Sequence, residues 1–180
     1  MKRLGKALKI LGILILVLVV VAGGTSFWLV RRSWPQTSGS LQTAGLQAPV
    51  QVHRDRYGVV NIYAENDHDL FFAQGYVHAQ DRLWQMDFLR NVSSGTLSTI
   101  LGERAIGSDV TQRTLGMRRA GEKELATVDP DTREILQAYA DGINAYIAAN
   151  RSRLPLEYTI LGVEPRPWEP LDTLTFGKFL

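Results

Sequence analysis

The chain has 180 residues, 45% apolar and 21% charged, an ordinary composition for one globular domain with a sizeable core. The absence of cysteine excludes a disulfide framework, a thiolate zinc site and a cysteine nucleophile. The formal charge of +2 hides a split: Lys2, Arg3, Lys6, Lys9, Arg31 and Arg32 hold six of twenty basic residues, the remainder is net −4, and nucleic-acid binding loses its electrostatic footprint.

Residues 10 to 30, "ILGILILVLVVVAGGTSFWLV", carry no charge over twenty-one positions. At about 1.5 Å rise per residue, a helix of that length crosses a hydrocarbon core of roughly 30 Å. Four basic residues precede the run and two follow it, which places the N-terminus in the cytoplasm and the bulk of the chain outside. Val20 and Ala22 suit the small positions before a signal-peptidase cut, but the run outlasts the roughly 7–15-residue core of a cleaved signal. Length therefore favours an uncleaved signal anchor, with cleavage as the alternative. The reading is a cytoplasmic basic segment at 1–9, a transmembrane anchor at 10–30 and a linker at 31–49. The linker, rich in Ser, Thr, Gln, Gly and Pro, reads as an extended tether.

From Val50 the pattern changes to short apolar alternations on either side of Arg54, Asp55, Arg56, Tyr57 and Gly58. This predicts a β-hairpin with Gly58 at positive φ. Asn66 or Asp67 then offers an N-cap, and Asp69 adds a first-turn carboxylate for the helix that follows. That helix is expected to bury Leu70, Ala73, Val77, Trp84 and Phe88, flanked by Phe72, Tyr76 and Leu83, and to end at Gly95. Gly95, Gly102, Gly107 and Gly116 break the next stretch into short helices and turns. A clearer helix follows, capped by Asp129 with Pro130 in the first turn, carrying Ile135, Leu136, Tyr139, Ile143, Tyr146 and Ile147 on one face to about Asn150. After a proline-punctuated connection, a last helix starts near Leu171. It reaches Leu180 with no capping signal, which suggests a fragment.

His78, Asp81 and Arg82 fall within one turn of the first long helix. A catalytic reading makes His78 a general base oriented by Asp81. No serine or threonine is placed by a recognisable motif for it to activate, so the cluster reads instead as hydrogen bonding that fixes the helix to the hairpin. Arg54 and Asp55 are available there to pair with Asp81, Arg82 or Asp87. His53, His68 and His78 lack metal-ligand spacing, and the glycines fit neither a phosphate loop nor a dinucleotide fingerprint. The residues alone describe an exported globular piece with no self-sufficient catalytic constellation.

Four stretches, "VHRDRYGVVNIYAENDHDLFFAQGYVHAQDRLWQMDFLR", "GTLSTILGE", "LQAYADGINAYI" and "PRPWEPLDTL", occur in the order and at about the spacing of the N-terminal part of the penicillin acylase family. The resemblance covers roughly Leu46 to Leu180, and "GYVHAQDRLWQMD" is its most specific run. It implies an α+β chain, part of the four-layer αββα sandwich of N-terminal-nucleophile hydrolases. It also implies a precursor whose β segment supplies a serine attacking an amide carbonyl, the serine's own amine as base, and the oxyanion donors. The chain matches only the start of the α segment, so no catalytic, cofactor-binding or metal residue is assigned, and no cofactor is expected in these residues.

The family's α-segment contributions to the acyl pocket and to calcium would lie on the helix beginning near Leu171 and just beyond it, so calcium belongs, if anywhere, to the full-length protein. The implied partners are the β segment, a small N-acyl amide and, through residues 10–30, the membrane. Acyl-homoserine lactone hydrolysis within the family, and a non-enzymatic exported anchoring or binding module, remain as alternatives. Gly58, Val59, Val60, Asn61 and Ile62 stand where the family commonly has Gly-Val-Pro-His-Ile, and Asn91 stands where a second arginine often follows Arg90.

Overall fold

The computed structural model describes residues 2–180; of the basic segment 1–9, Met1 and the side chains of residues 2–5, 7 and 8 lie outside the description. The chain divides into two units, residues 1–34 and 35–180. The first is one helix, α1 (Lys2–Arg32), whose apolar side chains from Ile10 to Val21 are all more than half exposed. By length and composition its Lys9–Arg32 portion is sufficient to cross a membrane. Its basic end is dressed with aromatic rings: the Arg31 guanidinium lies over Phe27 and Trp34, and that of Arg32 over Trp28. The helix runs through Arg31 and Arg32, two residues further than the expected end of the span.

The second unit is α+β. Strands β1 (Gln51–Arg54) and β2 (Val60–Tyr63) pair antiparallel in the register Gln51 to Tyr63 and Arg54 to Val60. Asp55 shapes the intervening loop, its Oδ1 accepting from the Tyr57 and Val59 amides while Gly58 takes φ +82°. Helices α2 (Asp67–Ser94), α3 (Ser98–Leu101), α4 (Ile106–Leu115), α5 (Met117–Thr127), α6 (Pro130–Ala149), α7 (Leu156–Leu161) and α8 (Pro170–Phe179) follow. The expected caps are in place. The Asn66 side chain accepts from Asp69 N, Gly95 closes α2 in the left-handed region, and Asp129 accepts from Thr132 N ahead of Pro130. Gly102 and Gly116 mark breaks, but Gly107 lies inside α4, where a glycine is tolerated.

The core gathers between α2, α6 and the connection from α7 to α8, with Ala79, Leu83, Ala140, Ile143, Tyr146, Tyr158 and Trp168 buried together. Helices α2 and α6 touch backbone to backbone. A Cβ on Gly75 would sit 2.1 Å from the Tyr139 carbonyl oxygen, and one on Gly142 would sit 1.9 Å from that of Phe72. Only glycine fits at either crossing point.

The α2 stripe is partly as expected. Phe72, Ala73, Val77 and Leu83 are buried, whereas Leu70, Tyr76, Trp84 and Phe88 are only half-buried. The helix departs from helical geometry at Arg82 (φ −145°, ψ 25°), and beyond this kink the inward set is Leu83, Asp87, Arg90, Asn91, Ser93 and Ser94. In place of the aromatic face anticipated there, charged side chains enter the core.

Residues 45–48, within the stretch read as a tether, are held to α2. The buried Asp69 carboxylate accepts from the Gln47 and Ala48 amides at 2.9 and 2.8 Å, and Gly45 backs onto the Phe72 ring. Farther up the strap, Gln80 donates to the Gln36 carbonyl at 2.7 Å.

Candidate functional site

Residues 75–90 deliver two different arrangements, one on each side of the kink. On the hairpin side, Arg54 forks onto Asp81, with Nη1 to Oδ2 at 2.9 Å and Nη2 to Oδ1 at 2.8 Å, and also reaches Gln80 Oε1 at 2.9 Å. Asp81 therefore faces the hairpin, and His78 takes a different partner, its Nδ1 2.9 Å from the Tyr139 hydroxyl. The His78 and Tyr139 rings meet edge to face. Burial lowers the His78 pKa below its usual 6.5, against the pull of the Asp81 charge and with help from Arg82. Burial also pushes the Tyr139 hydroxyl up to about 12. The His78 ring is bonded to Tyr139 while Asp81 is held by Arg54, so the acid–base relay of His78 and Asp81 weighed from the sequence is not assembled in this arrangement.

On the other side of the kink lies a buried ionic joint. Arg90, 2% exposed, donates through Nε and Nη2 to Asp87 Oδ1, through Nη1 to Asp172 Oδ2 at 3.4 Å, through both Nη atoms to the Arg166 carbonyl and through Nη1 to that of Pro167. Its guanidinium lies 4.9 Å from the centre of the Trp168 ring. Tyr158 donates to Asp87 Oδ2 at 3.0 Å, and burial together with the Asp87 charge drives its hydroxyl pKa upward. Asp172 also receives Arg166 on both oxygens, Arg118 at 3.7 Å and the Glu169 amide at 2.9 Å. Asn91 ties Asp87 to Thr96.

The joint thus welds α2, α5, α7, α8 and the connection at 162–169 into one frame. Sequence reasoning missed Asp87, Arg90 and Asp172 as a unit. The only local signal was the i, i+3 spacing of Asp87 and Arg90 inside an apolar run. A second buried carboxylate of the same kind, Asp109 on α4, accepts from the Leu97 and Ser98 amides at 2.7 and 3.0 Å and so starts α3.

An open cleft of about 690 Å³ runs beside the kink, between the hairpin, α2 and α8. Val60, Ile62, Val77, Met86, Leu89 and Phe176 give it apolar walls, with Arg82, Gln85 and His78 along its length. Among the described residues there is no grouping of three or more His, Asp or Glu suited to a metal ion.

The penicillin amidase family model matches residues 49–180, which takes in the hairpin, the glycine crossing, the ionic joint and the cleft. The chain belongs to the penicillin amidase family. It is 39% identical over 162 residues to the penicillin acylase 2 proenzyme of Pseudomonas sp. strain SE83, covering 90% of this chain and 21% of that protein. It is 37% identical to the acyl-homoserine lactone acylase QuiP of Pseudomonas aeruginosa, covering 83% of this chain and 18% of that one. A thermostable penicillin G acylase from Alcaligenes faecalis superposes with a TM-score of 0.65 at 32% identity, over 71% of this chain and 69% of that chain. The chain spans about a fifth of the length of these curated relatives. The departures at Val60, Asn61 and Asn91 leave membership intact. The hairpin forms without the family's usual proline and histidine, and Asn91 keeps a structural post beside Asp87.

Proposed function

We propose that the chain is the N-terminal part of the α segment of an amide-hydrolysing acylase precursor, held on the extracytoplasmic face of the membrane by α1 as an uncleaved anchor. The observation that carries this reading is the family match across residues 49–180, in a chain about a fifth the length of its relatives. The polar groups of the second unit support it from the other direction. Asp69, Asp87, Asp109 and Asp172 are each committed to backbone amides or guanidinium groups, which suits a frame better than a reaction centre. In this reading the chemistry belongs to a downstream β segment: a serine freed by self-cleavage attacks the amide carbonyl and its own amine takes the proton. Charge bias and the length of the apolar run support the anchor.

The experiment is expression of the full gene, with hydrolysis followed on a chromogenic phenylacetyl amide and on long-chain N-acyl homoserine lactones. Turnover of either class by the processed protein, and none by residues 1–180 alone, is the expected result. Turnover by the 180-residue chain would overturn the assignment of chemistry to the downstream segment. An unprocessed, inactive full-length product would favour the non-enzymatic module. Relatives named for both substrate classes stand at nearly equal identity, 39% and 37%, so lactone hydrolysis is a second reading on the same footing. N-terminal sequencing of the mature protein tests the anchor, and a start at Gly23 or later replaces it by a signal peptide.

A further inference from the structure

We infer that the end of α1 nearest the second unit, formed by Phe27, Trp28, Arg31, Arg32 and Trp34, is a docking surface for the phosphate groups of anionic phospholipids. Such a partner rests on the reading of α1 as an uncleaved anchor, and it adds the class of lipid that the anchor gathers at its outer end.

Residues 27–34 bring three large rings and two guanidinium groups to one end of a long apolar helix. Phe27, Trp28 and Trp34 are 66%, 59% and 63% exposed, and rings of this kind favour the level where hydrocarbon gives way to headgroups. Both arginines are gathered onto that belt. The Arg31 guanidinium carbon lies 6.0 Å from the centre of Phe27 and 5.3 Å from that of Trp34, and that of Arg32 lies 5.2 Å from Trp28. The chain past the helix is fixed too, since the Trp34 amide donates to the Arg31 carbonyl at 3.2 Å and the Ser33 hydroxyl to the Val30 carbonyl at 2.9 Å. A cation over a ring interacts through its charge and commits no N–H donor to that ring. The belt therefore holds positive charge at headgroup level.

Charge selects the lipid. No Asp or Glu occurs in the chain before Asp55, so the segment around Arg31 and Arg32 brings no carboxylate of its own to neutralise them. The C-terminal end of the helix dipole supplies roughly half a negative charge, which leaves the pair in surplus. Basic residues on the translocated side also run against the bias that collects them in the cytoplasm. Phosphate is the countercharge available at this depth, and its oxygens match the fork of guanidinium donors. A zwitterionic lipid brings phosphate together with a choline cation that the arginines repel, whereas an anionic lipid brings phosphate without it. Each basic residue close to an anionic surface is worth about a fivefold preference.

The test places the full-length protein in vesicles of phosphatidylcholine with a minor share of phosphatidylglycerol, and brominates the acyl chains of one lipid at a time. Bromine quenches indole fluorescence at contact range, so the signal reports which lipid surrounds the tryptophans at the bilayer. Brominated phosphatidylglycerol is expected to quench about fivefold more per molecule than brominated phosphatidylcholine. The double change Arg31→Gln with Arg32→Gln brings the two lipids level, and Arg31→Lys with Arg32→Lys keeps most of the preference. Equal quenching by the two lipids in the unchanged protein overturns the docking surface and spares the anchor. A preference that survives the double glutamine change also overturns it. Absence of quenching by either lipid removes the anchor and the docking surface together.

Discussion

The two halves of α2 pack by opposite means. Before Arg82, the helix approaches α6 because a side chain is missing, with Gly75 and Gly142 letting the backbones touch. After Arg82, it is held by side chains that are charged, with Asp87 and Arg90 carried into the core and satisfied from α7, α8 and the connection between them. A glycine contact gains close packing and leaves nothing to desolvate. An ionic joint must recover the desolvation of every charge through hydrogen bonds, and Arg90 does so by using all three of its guanidinium nitrogens. The difference teaches that the Gly75–Gly142 crossing admits no gain of volume, whereas the Asp87–Arg90 joint admits no loss of polarity.

The sharpest break falls on the ionic half. Arg90→Ala strands the buried Asp87 and Asp172 carboxylates and should cost about 3–5 kcal/mol, read as a fall in the urea midpoint. The double variant Asp87→Asn with Arg90→Met should cost less than the two single changes added together, with a coupling of roughly 1 kcal/mol or more in a double-mutant cycle. On the glycine half, Gly142→Ala should cost about 3 kcal/mol despite the better helix propensity of alanine, because the obstruction is a backbone carbonyl that cannot rotate away. A neutral outcome at Gly142 would mean that the helices are not in backbone contact.

Next comes the strap. Burial alone would raise the Asp69 carboxyl, but the Gln47 amide, with Asn66, His68 and the Ala48 amide, outweighs it and holds the group at about 2. A carboxyl lowered on folding stabilises the fold in its ionised form. The contribution is complete above the ordinary value of 3.8 and disappears as pH falls from there towards 2. Asp69→Ala should cost about 2 kcal/mol at neutral pH and flatten the stability curve over that acid window. Smallest is the surface pair between the hairpin and α2. Arg54→Ala should cost less than about 1 kcal/mol, with that loss shrinking further in high salt.

How much of this was legible can be judged residue by residue. Asn66, Gly95, Asp129 and Pro130 announced the ends of α2 and α6, because a cap is a contract between residues three or four positions apart. Arg54 to Asp81 was among the pairings the sequence allowed, but Asp55 turned out to serve its own loop and Asp87 to face the core. The placement of Trp84 and Phe88 on the buried stripe assumed an unbroken period of 3.6, and no proline or glycine announces the kink at Arg82.

The sequence by itself determined the apolar span, the hairpin, the helix ends and the family, all of which are written in local pattern or in runs of consecutive residues. Only the tertiary structure decided that Gly75 and Gly142 are contact points and that Asp87, Arg90 and Asp172 form one joint. The reason is distance along the chain. Asp87 meets Tyr158 across 71 positions and Arg90 meets Asp172 across 82, and no periodicity within a helix reports which distant charge will complete a buried one.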